Sequence, residues 1–326
     1  MLRAKIVSTA SYLPEKILTN HELEKMVETS DDWITERTGI KERRIAKEDQ
    51  AVSDLALAAS QIALDRAGLD AKSLDLIIIA TITGDMPVPS SACILQDKLG
   101  AVNAAAFDIN AACSGFIYGL SIANAYILSG MYKRILLVGA EVLSKFTNWT
   151  DRNTCVLFGD GAGAVILEAA TGQQGIYSVD IYSDGTMAGL LNLPGGGSQN
   201  PPSHKSIDNN LHFLQMKGNE TFKVAVKTLE SLVVDTLKKN NLNAEDIKLL
   251  IPHQANLRII SATASRLGLD MNRVMVNLNK CGNTSAASIP IALDEAVTSG
   301  RIEKGDYILL EAFGGGLTWA SALIKW

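Results

Sequence analysis

Two stretches of the chain repeat each other, and this internal repeat limits the fold more than any other feature. Residues 68–78 align with residues 241–251, so that Leu69 corresponds to Leu242, 173 positions later. Each copy follows an amphipathic helix and leads into an apolar strand. The first of these helices is expected to have Ser53 as its N-cap and to end at Gly68. The repeat predicts a chain built from two related α/β halves.

Later segments extend the match and define the two halves. Ser129-Gly130 aligns with Ser299-Gly300, and the apolar strand at residues 135–137 aligns with the strand at residues 308–310. We therefore expect one half at residues 1–170 and a second half at residues 171–326. Because strands alternate with helices in both halves, we expect sheets covered by helices on their faces, which is a layered α/β architecture.

Composition excludes several classes of protein. The chain has 326 residues, 47% of them hydrophobic, and a formal net charge of -5, which argues against a general nucleic-acid binder. Its four cysteines lack CxxC spacing, so they predict neither a zinc site nor a disulfide framework. Residues 1–7 are typical of a strand instead of a signal peptide, and no apolar run reaches the length of about 18 residues that spans a bilayer. We expect a soluble cytoplasmic protein that binds no metal.

Cys113 is the first candidate for a reactive group. It lies where an apolar strand at residues 104–109 meets a helix that begins near Ala111. The partial positive charge of a helix N-terminus favours an anion, so the pKa of the thiol is expected to fall below the free value of about 8.5. Since cysteine is also among the most frequently buried residues, a purely structural role is the alternative.

The repeat suggests partners for Cys113. With Ser129 placed on Ser299, Cys113 corresponds to Asn283, at the start of the matching helix. With Leu69 placed on Leu242, the strand end at Ala80 corresponds to His253. The two helix starts are therefore expected to meet, with His253 approaching from a strand end. A structural histidine is the alternative for His253 taken alone.

A glycine run supplies a further candidate. Residues 313–316 (FGGG) directly follow an apolar strand. A backbone without side chains can approach a ligand closely and offer N–H donors, as an oxyanion hole requires. A tight turn between neighbouring strands is the alternative.

Four motifs now point to one family. Residues 112–116, 252–256, 282–287 and 313–316 read ACSGF, PHQAN, GNTSAA and FGGG. They closely resemble, in order and spacing, the motifs of the β-ketoacyl-acyl-carrier-protein synthase III family, and the similarity runs from Gly39 to Trp326. The resemblance implies a thiolase fold, with two similar halves forming a five-layered αβαβα arrangement. It also implies a homodimer that needs no cofactor besides its substrates, acyl-coenzyme A (acyl-CoA) and malonyl-acyl-carrier protein (malonyl-ACP).

The same resemblance implies a two-stage Claisen condensation that starts fatty acid synthesis. The Cys113 thiolate takes an acyl group from acyl-CoA, and malonyl-ACP then loses CO₂ to form an enolate that attacks this acyl group. His253 and Asn283 are expected to stabilise the enolate, and the N–H groups of Cys113 and Gly315 the tetrahedral intermediate. Phe313 is expected to shield the malonyl carboxylate from water.

Binding residues are implied in the same way. Trp33 and Arg152 match positions that hold the adenine of coenzyme A (CoA), Arg37 is expected to bind its phosphate, and Asn256 its pantetheine arm. Val88 matches a position where some members carry a phenylalanine that limits the acyl pocket, so we expect a pocket open to longer or branched primers.

A basic patch within this acidic chain is expected to dock the acidic carrier protein. It consists of Lys223, Arg258 and Arg266, whereas Ser265 replaces a residue that is often basic in the family. Cys281, two residues before Asn283, is expected to be inert.

Other functions fit part of the pattern. Cys, His and Asn in this chain order also occur in papain-like cysteine proteases, but that hypothesis explains neither the repeat nor the glycine run. A non-catalytic acyl-binding protein is a second alternative, opposed by the presence of all three polar residues. A related synthase that condenses other acyl groups in secondary metabolism is a third, because one fold hosts many reactions.

Overall fold

Two large sheets, two small two-stranded sheets and the helices around them make up the structure, a computed structural model that describes residues 2–326. The strands are β1 Leu2–Tyr12, β2 Lys16–Thr19, β3 Glu42–Ile45, β4 Leu76–Ala80, β5 Ala105–Ile109, β6 Arg134–Glu141, β7 Gly161–Thr171, β8 Gly175–Ser183, β9 Leu191–Asn192, β10 Gln215–Met216, β11 Ile247–Pro252, β12 Tyr307–Gly314 and β13 Thr318–Lys325. The helices are α1 Asn20–Leu23, α2 Asp31–Thr38, α3 Val52–Ala67, α4 Ser91–Leu99, α5 Gly115–Leu128, α6 Arg152–Cys155, α7 His204–Asp208, α8 Gly218–Lys239, α9 Leu257–Leu267, α10 Leu278–Cys281 and α11 Ser288–Thr298.

Two single helical turns lie at the centre of the molecule. The cysteine turn, Ala112–Ser114, immediately precedes α5, and the serine turn, Ser285–Ala287, immediately precedes α11. One sheet has the strand order β1-β7-β6-β4-β5, and the other has the order β11-β12-β13-β8. Strands β4, β5 and β6 are parallel to one another, as are β11 and β12, so the ends of these strands deliver their side chains to one edge.

Alternation along the strands explains why the layers stack. Ile78 of β4 and Leu310 of β12 point into a central core that also contains Phe116 of α5 and Ile289 of α11. The neighbouring residue Ile77 faces the opposite side of its sheet. There it packs with α3 and α4, just as β12 packs on its outer side with α8 and α9. The result is the five-layered αβαβα arrangement that the sequence predicts.

The structure confirms the repeat and corrects its register at the site. The cysteine turn and the serine turn stand 173 residues apart, as do the first residues of β6 and β12. Helix α11 has 11 residues where α5 has 14, so the offset fixed by Ser129 and Ser299 applies only to the helix ends. Cys113 therefore corresponds to Ala286 and not to Asn283. Asn283 corresponds to Asn110, upstream of the turn.

One predicted helix boundary is also wrong. Helix α3 begins at Val52 after Ala51, whose backbone N–H donates to Asp54, so Ser53 is not the N-cap. Ser53 is buried in the first turn, where its hydroxyl donates to Asp85 at 2.6 Å. The C-terminal end is as predicted, because Gly68 adopts a left-handed conformation with φ of 64°.

Glycines allow the two halves to meet backbone to backbone. A Cβ placed on Gly139 of β6 would lie 2.3 Å from the carbonyl oxygen of Ala286 in the serine turn. Gly163 of β7 packs almost as close to Pro290 of α11, where a Cβ would lie 2.7 Å from the backbone. Any side chain at these positions would push α11 away from the first sheet.

None of the helices in residues 2–326 is both long and apolar enough to cross a bilayer.

Replacing Gly139 with alanine tests this contact. We expect Gly139→Ala to lower the free energy of unfolding by about 1–3 kcal/mol, because the added methyl group overpacks a rigid backbone contact. The urea midpoint of unfolding measures the effect. Gly197→Ala is the matched control, since a Cβ there meets nothing within 4 Å. Equal midpoints for the two variants would contradict the proposed role of Gly139.

Candidate active site

The backbone around Cys113 is held in an unusual conformation. Ala112 has φ of 47°, in the left-handed region that non-glycine residues rarely adopt. A Cβ on Gly314, at the end of β12, would lie 2.6 Å from the backbone nitrogen of Cys113. The cysteine turn thus fits against the second sheet only because residue 314 is glycine. The thiol lies in the interface between the halves, and Cys113 is 6% exposed.

Hydrogen bonds fasten the glycine run to the cysteine turn. The Thr318 hydroxyl donates to the carbonyl oxygen of Ala111 at 2.8 Å and lies 3.3 Å from that of Gly315. The Ser114 hydroxyl in turn donates to the carbonyl oxygen of Thr318 at 3.1 Å. Residues 313–316 are therefore both the turn between β12 and β13 and part of the wall beside Cys113.

The expected acidity of Cys113 is wrong. Burial, with a smaller contribution from the nearby Glu141 carboxylate, raises the pKa of the Cys113 thiol to about 12. The Ser285 hydroxyl acts in the opposite direction, but it does not compensate for the loss of solvent. Desolvation disfavours the thiolate more strongly than the helix start favours it. In the unliganded chain, Cys113 is a neutral thiol.

His253 directly follows β11, as the repeat predicts. Its backbone N–H donates to the carbonyl oxygen of Glu311 in β12 at 2.8 Å. Its ring Nδ1 is 2.6 Å from the hydroxyl of Ser288, the first residue of α11. Burial lowers the pKa of His253 to about 3, so the imidazole is neutral. Because a hydroxyl both donates and accepts, Ser288 supports either ring tautomer and leaves Nε2 for chemistry.

Asn283 is oriented by its own backbone neighbours. Its side-chain oxygen accepts the N–H of Ser285 at 2.9 Å, which leaves the amide NH₂ group to act as a donor. Its backbone N–H donates to the carbonyl oxygen of Leu157 at 2.8 Å, so residue 283 is tied to the first half of the chain. Asn283 is 8% exposed.

The serine turn links these three residues into one site. The serine turn packs against the cysteine turn, and the N–H of Ser285 donates to Asn283. Ser288, immediately after the turn, lies 2.6 Å from the ring of His253. The site therefore contains a thiol, a neutral imidazole and an amide donor, all largely withdrawn from water. Such a set can form a covalent acyl intermediate and stabilise charge that develops on an oxygen.

Phe313 lies on the outer side of β12. It is 7% exposed and packs with Leu317 and with Leu229 of α8. The apolar cluster around Phe313 thus adjoins Gly314, which packs against the backbone of Cys113.

The candidate coenzyme A residues lie together at the surface. The guanidinium carbon of Arg37 is 4.7 Å from the centre of the Trp33 ring, and that of Arg152 is 5.2 Å from it. Asn256 is adjacent to them, because its side-chain nitrogen donates to the carbonyl oxygen of Arg37 at 2.9 Å. Its side-chain oxygen caps α9, which leaves one N–H and one lone pair for a ligand.

Two of the three candidate carrier-protein residues lie close together, and the third lies further along α9. Helices α8 and α9 pack together, and Arg258 lies over the ring of Phe222, next to Lys223, with its guanidinium carbon 5.2 Å from the ring centre. Arg266 is eight residues further along α9, about 12 Å at 1.5 Å per residue. All three side chains are exposed.

Val88 and Cys281 occupy opposite environments. Val88 is 81% exposed, so within this chain it lines no acyl pocket. Cys281 is 2% exposed, and burial raises the pKa of its thiol to about 12. In the part of the chain that the structure describes, all four cysteines are free thiols, and no group of His, Cys, Asp and Glu is arranged to bind a metal ion.

Several residues of the site escape sequence reasoning. Ser285, Ser288 and Thr318 carry small hydroxyl groups whose partners are distant in the chain. Glu141 is buried at the end of β6. An acid at the end of an otherwise apolar strand is the one local signal that could have singled out Glu141.

Comparison with known proteins places this site in a family. The model for the 3-oxoacyl-[acyl-carrier-protein (ACP)] synthase III family matches residues 107–185, and the model for its C-terminal part matches residues 237–326. The β-ketoacyl-[acyl-carrier-protein] synthase III of Caldanaerobacter subterraneus subsp. tengcongensis is 58% identical and covers 100% of this chain and 98% of its own length. That of Clostridioides difficile is 52% identical, covering 99% and 98%. The crystal structure of 3-oxoacyl-[acyl-carrier-protein] synthase III from Aquifex aeolicus superposes with a TM-score of 0.92 at 48% identity, covering 99% of this chain and 100% of that one.

The raised pKa of Cys113 predicts how alkylation of this thiol depends on pH. In a Cys93→Ser background, which removes the exposed thiol, iodoacetamide should modify Cys113 about tenfold faster per pH unit from roughly pH 7 to 10. The reason is that only the thiolate reacts and its fraction keeps rising below a pKa of about 12. Peptide mapping gives the rate at Cys113, and glutathione serves as the free-thiol control. A plateau at or below about pH 8.5 would show instead that the helix start stabilises the thiolate.

Proposed function

This chain belongs to the 3-oxoacyl-[acyl-carrier-protein] synthase III family, and from that premise we propose that Cys113, His253 and Asn283 carry out its reaction. The chain is an acyltransferase that condenses an acyl-CoA primer with malonyl-ACP. The products are 3-oxoacyl-ACP, CO₂ and CoA, and the reaction initiates fatty acid biosynthesis. The observation that best supports the assignment is the serine turn, which packs against the cysteine turn and, with Ser288 immediately after it, carries the partners of Asn283 and His253.

In the first half-reaction, the sulfur of Cys113 attacks the acyl carbon of the thioester. A new carbon–sulfur bond forms, the bond to CoA breaks, and the thiol proton passes by way of His253 Nε2 to the departing CoA sulfur. Because burial keeps His253 neutral, the tautomer with its proton on Nδ1 has a free lone pair on Nε2 for this transfer.

In the second half-reaction, the malonyl group loses CO₂ and leaves an enolate. In this step His253 is the other tautomer, with Nδ1 accepting from the Ser288 hydroxyl. Its Nε2–H and the amide of Asn283 donate to the thioester oxygen, and the enolate carbon then attacks the acyl group on Cys113. The backbone N–H groups of Cys113 and Gly315 hold the oxyanion of the tetrahedral intermediate until the Cys113 sulfur leaves as a thiolate, which takes a proton from solvent to restore the thiol. Each such donor contributes about 10²-fold to 10³-fold in rate. The apolar cluster of Phe313 keeps water from the malonyl carboxylate.

Coenzyme A binds at the surface cluster of Trp33, Arg37, Arg152 and Asn256 in this proposal. An indole and a guanidinium both stack on a flat base, and Arg152 already lies over the Trp33 ring, so adenine would enter this stack. Arg37 offers its charge to a phosphate. The proximity of Asn256 to His253 in the chain lets its amide reach the pantetheine arm.

The carrier protein docks on the exposed pair Lys223 and Arg258, with Arg266 contributing further along α9. This pair lies beside Asn256, at the rim of the coenzyme A cluster. The pantetheine arm of a carrier protein docked there would extend toward His253. If the pair docks an acidic partner, Lys223→Glu should raise the KM for malonyl-ACP and leave the KM for acyl-CoA unchanged.

We also propose that the enzyme is a homodimer made of chains with two thiolase-like halves, residues 1–170 and 171–326. Strand β5 is the edge of the first sheet in residues 2–326, and Val88 and Val102 expose apolar surface near it in sequence, which supports pairing with a second copy. Val88 would then shape the acyl pocket of the partner and admit longer or branched primers. Light scattering tests this, and a mass near the 34.9 kDa of one chain would refute it.

We also propose that the protein lacks a cofactor and lacks nucleic-acid and membrane partners. We infer that the reaction needs no cofactor besides acyl-CoA and malonyl-ACP, because thiol, imidazole and amide suffice for both half-reactions. We infer a cytoplasmic protein without nucleic-acid or membrane partners from its net charge of -5 and its pattern of cysteines.

Intact mass spectrometry tests the nucleophile. After incubation with a panel of acyl-CoA thioesters, the wild-type chain should gain one acyl group, and Cys113→Ala should gain none, because the acyl group resides on that sulfur. Cys281→Ser is the matched control and should load normally, since its thiol is buried in an apolar cluster. The primer that loads best identifies the preferred acyl chain. Loading that survives in Cys113→Ala, or no loading of the wild type, would overturn the proposal.

A further inference from the structure

Glu141 is a buried carboxylate that the proposed reaction does not use. It is the last residue of β6, and it is fully buried. Its carboxylate accepts hydrogen bonds from the hydroxyls of Thr81 and Thr83, at 3.2 and 2.5 Å, and from the backbone N–H of Ile82 at 3.2 Å. Burying a carboxylate is costly even when it is hydrogen-bonded, so a residue that only joins β6 to the loop after β4 need not carry a charge.

The position of Glu141 connects it to the nucleophile. The serine turn packs against β6, because Gly139 leaves room for the backbone of Ala286. The serine turn packs against both β6 and the cysteine turn, and the Ser285 hydroxyl lowers the pKa of both Glu141 and Cys113. Ser285 Oγ has no regular hydrogen-bond partner among the described residues, so it is free to turn toward either group.

Ser285 is also fixed in place independently of these two groups. Its backbone has φ of 46°, and its N–H is held by the side chain of Asn283. A hydroxyl on a constrained backbone can serve one acceptor fully at a time. When it donates to Glu141, the sulfur of Cys113 loses a donor that a thiolate needs.

We propose that Glu141 is a positioning residue that keeps Cys113 in the thiol form before acylation, by its negative charge and by competing for the hydroxyl of Ser285. This inference rests on the proposed role of Cys113 as the nucleophile. A buried acid near the sulfur would have a function in this proposal. The thiolate forms only once the substrate is bound, so the enzyme without substrate does not carry a reactive anion.

The charge on Glu141 itself depends on pH. Burial raises the pKa of Glu141 to about 7, against the hydrogen bonds from Thr83 and Ile82 and the nearby hydroxyl of Ser285, which lower it. Cys113 is the titratable group that faces it, and the remaining contacts are the neutral groups of the β4 loop. Above about pH 7 the carboxylate is ionised and opposes the thiolate, whereas below that pH it is neutral and the opposition disappears.

Alkylation of Cys113 by iodoacetamide in the Cys93→Ser background measures the effect directly. At about pH 8.5, Glu141→Gln should be alkylated several-fold faster than the parent, because a neutral amide of the same size removes the charge. At about pH 6 the two rates should agree, since Glu141 is then neutral in both. Ser285→Ala should be alkylated several-fold more slowly, because the thiolate loses its donor.

Matched variants separate this role from a structural one. Glu311→Gln changes a buried acid on the equivalent strand of the other sheet, where burial raises the pKa of Glu311 to about 8 and Thr263 is its neighbour. It should leave the alkylation rate unchanged. Glu141→Asp keeps the charge and should remain close to the parent. If Glu141 only braces the β4 loop, Glu141→Gln will show the parental rate at both pH values, and the proposal is overturned.

Two further outcomes decide the remaining cases. Should Glu141→Gln fail to fold, judged by its circular dichroism spectrum, an unchanged rate in Ser285→Ala overturns the proposal and a slower rate supports it. Failure of Cys113 to load acyl groups would refute the nucleophile assignment, while faster alkylation of Glu141→Gln would still establish the influence of Glu141 on the thiol. The two failures are therefore distinguishable.

Discussion

The active site depends on two backbone contacts that only glycine permits. Gly139 brings the first sheet against the serine turn, and Gly314 brings the second sheet against the backbone nitrogen of Cys113. Through these contacts the two turns meet in the central layer, where Phe116 and Ile289 complete the core. Everything else in the site, from the placement of His253 to the confinement of the thiol, follows from this close approach.

Close approach also determines the protonation states. Burial raises the pKa of Cys113 to about 12 and lowers that of His253 to about 3, so the resting site contains no ion pair between thiolate and imidazolium. The site therefore acts through fixed donors and a proton carrier, not through a permanently charged nucleophile. Ser288 and Ser285 belong to this design, because hydroxyl groups can donate or accept as the charge moves.

The sequence was sufficient for the layers and for the residues that meet at the centre of the fold, whereas the catalytic roles of these residues stay a proposal. The repeat predicted two equivalent halves, and the motifs singled out Cys113, His253 and Asn283, which the fold brings together. It was insufficient where tertiary packing decides. The shorter α11 moved Asn283 out of register with Cys113, burial reversed the expected pKa shift, and the partners of Ser285 and Glu141 are distant in the chain. Val88 is exposed, which no local pattern indicates.

The most direct test of the account separates its two half-reactions at Asn283. This side chain is proposed to stabilise the malonyl-derived enolate and to take no part in loading Cys113. Asn283→Ala should therefore acquire its acyl group at nearly the wild-type rate, while release of CO₂ from malonyl-ACP falls by about 10²-fold to 10³-fold. Loading measured by intact mass and CO₂ release measured with labelled malonyl-ACP give the two rates. Unchanged release of CO₂, or an equal loss in both half-reactions, would contradict the account.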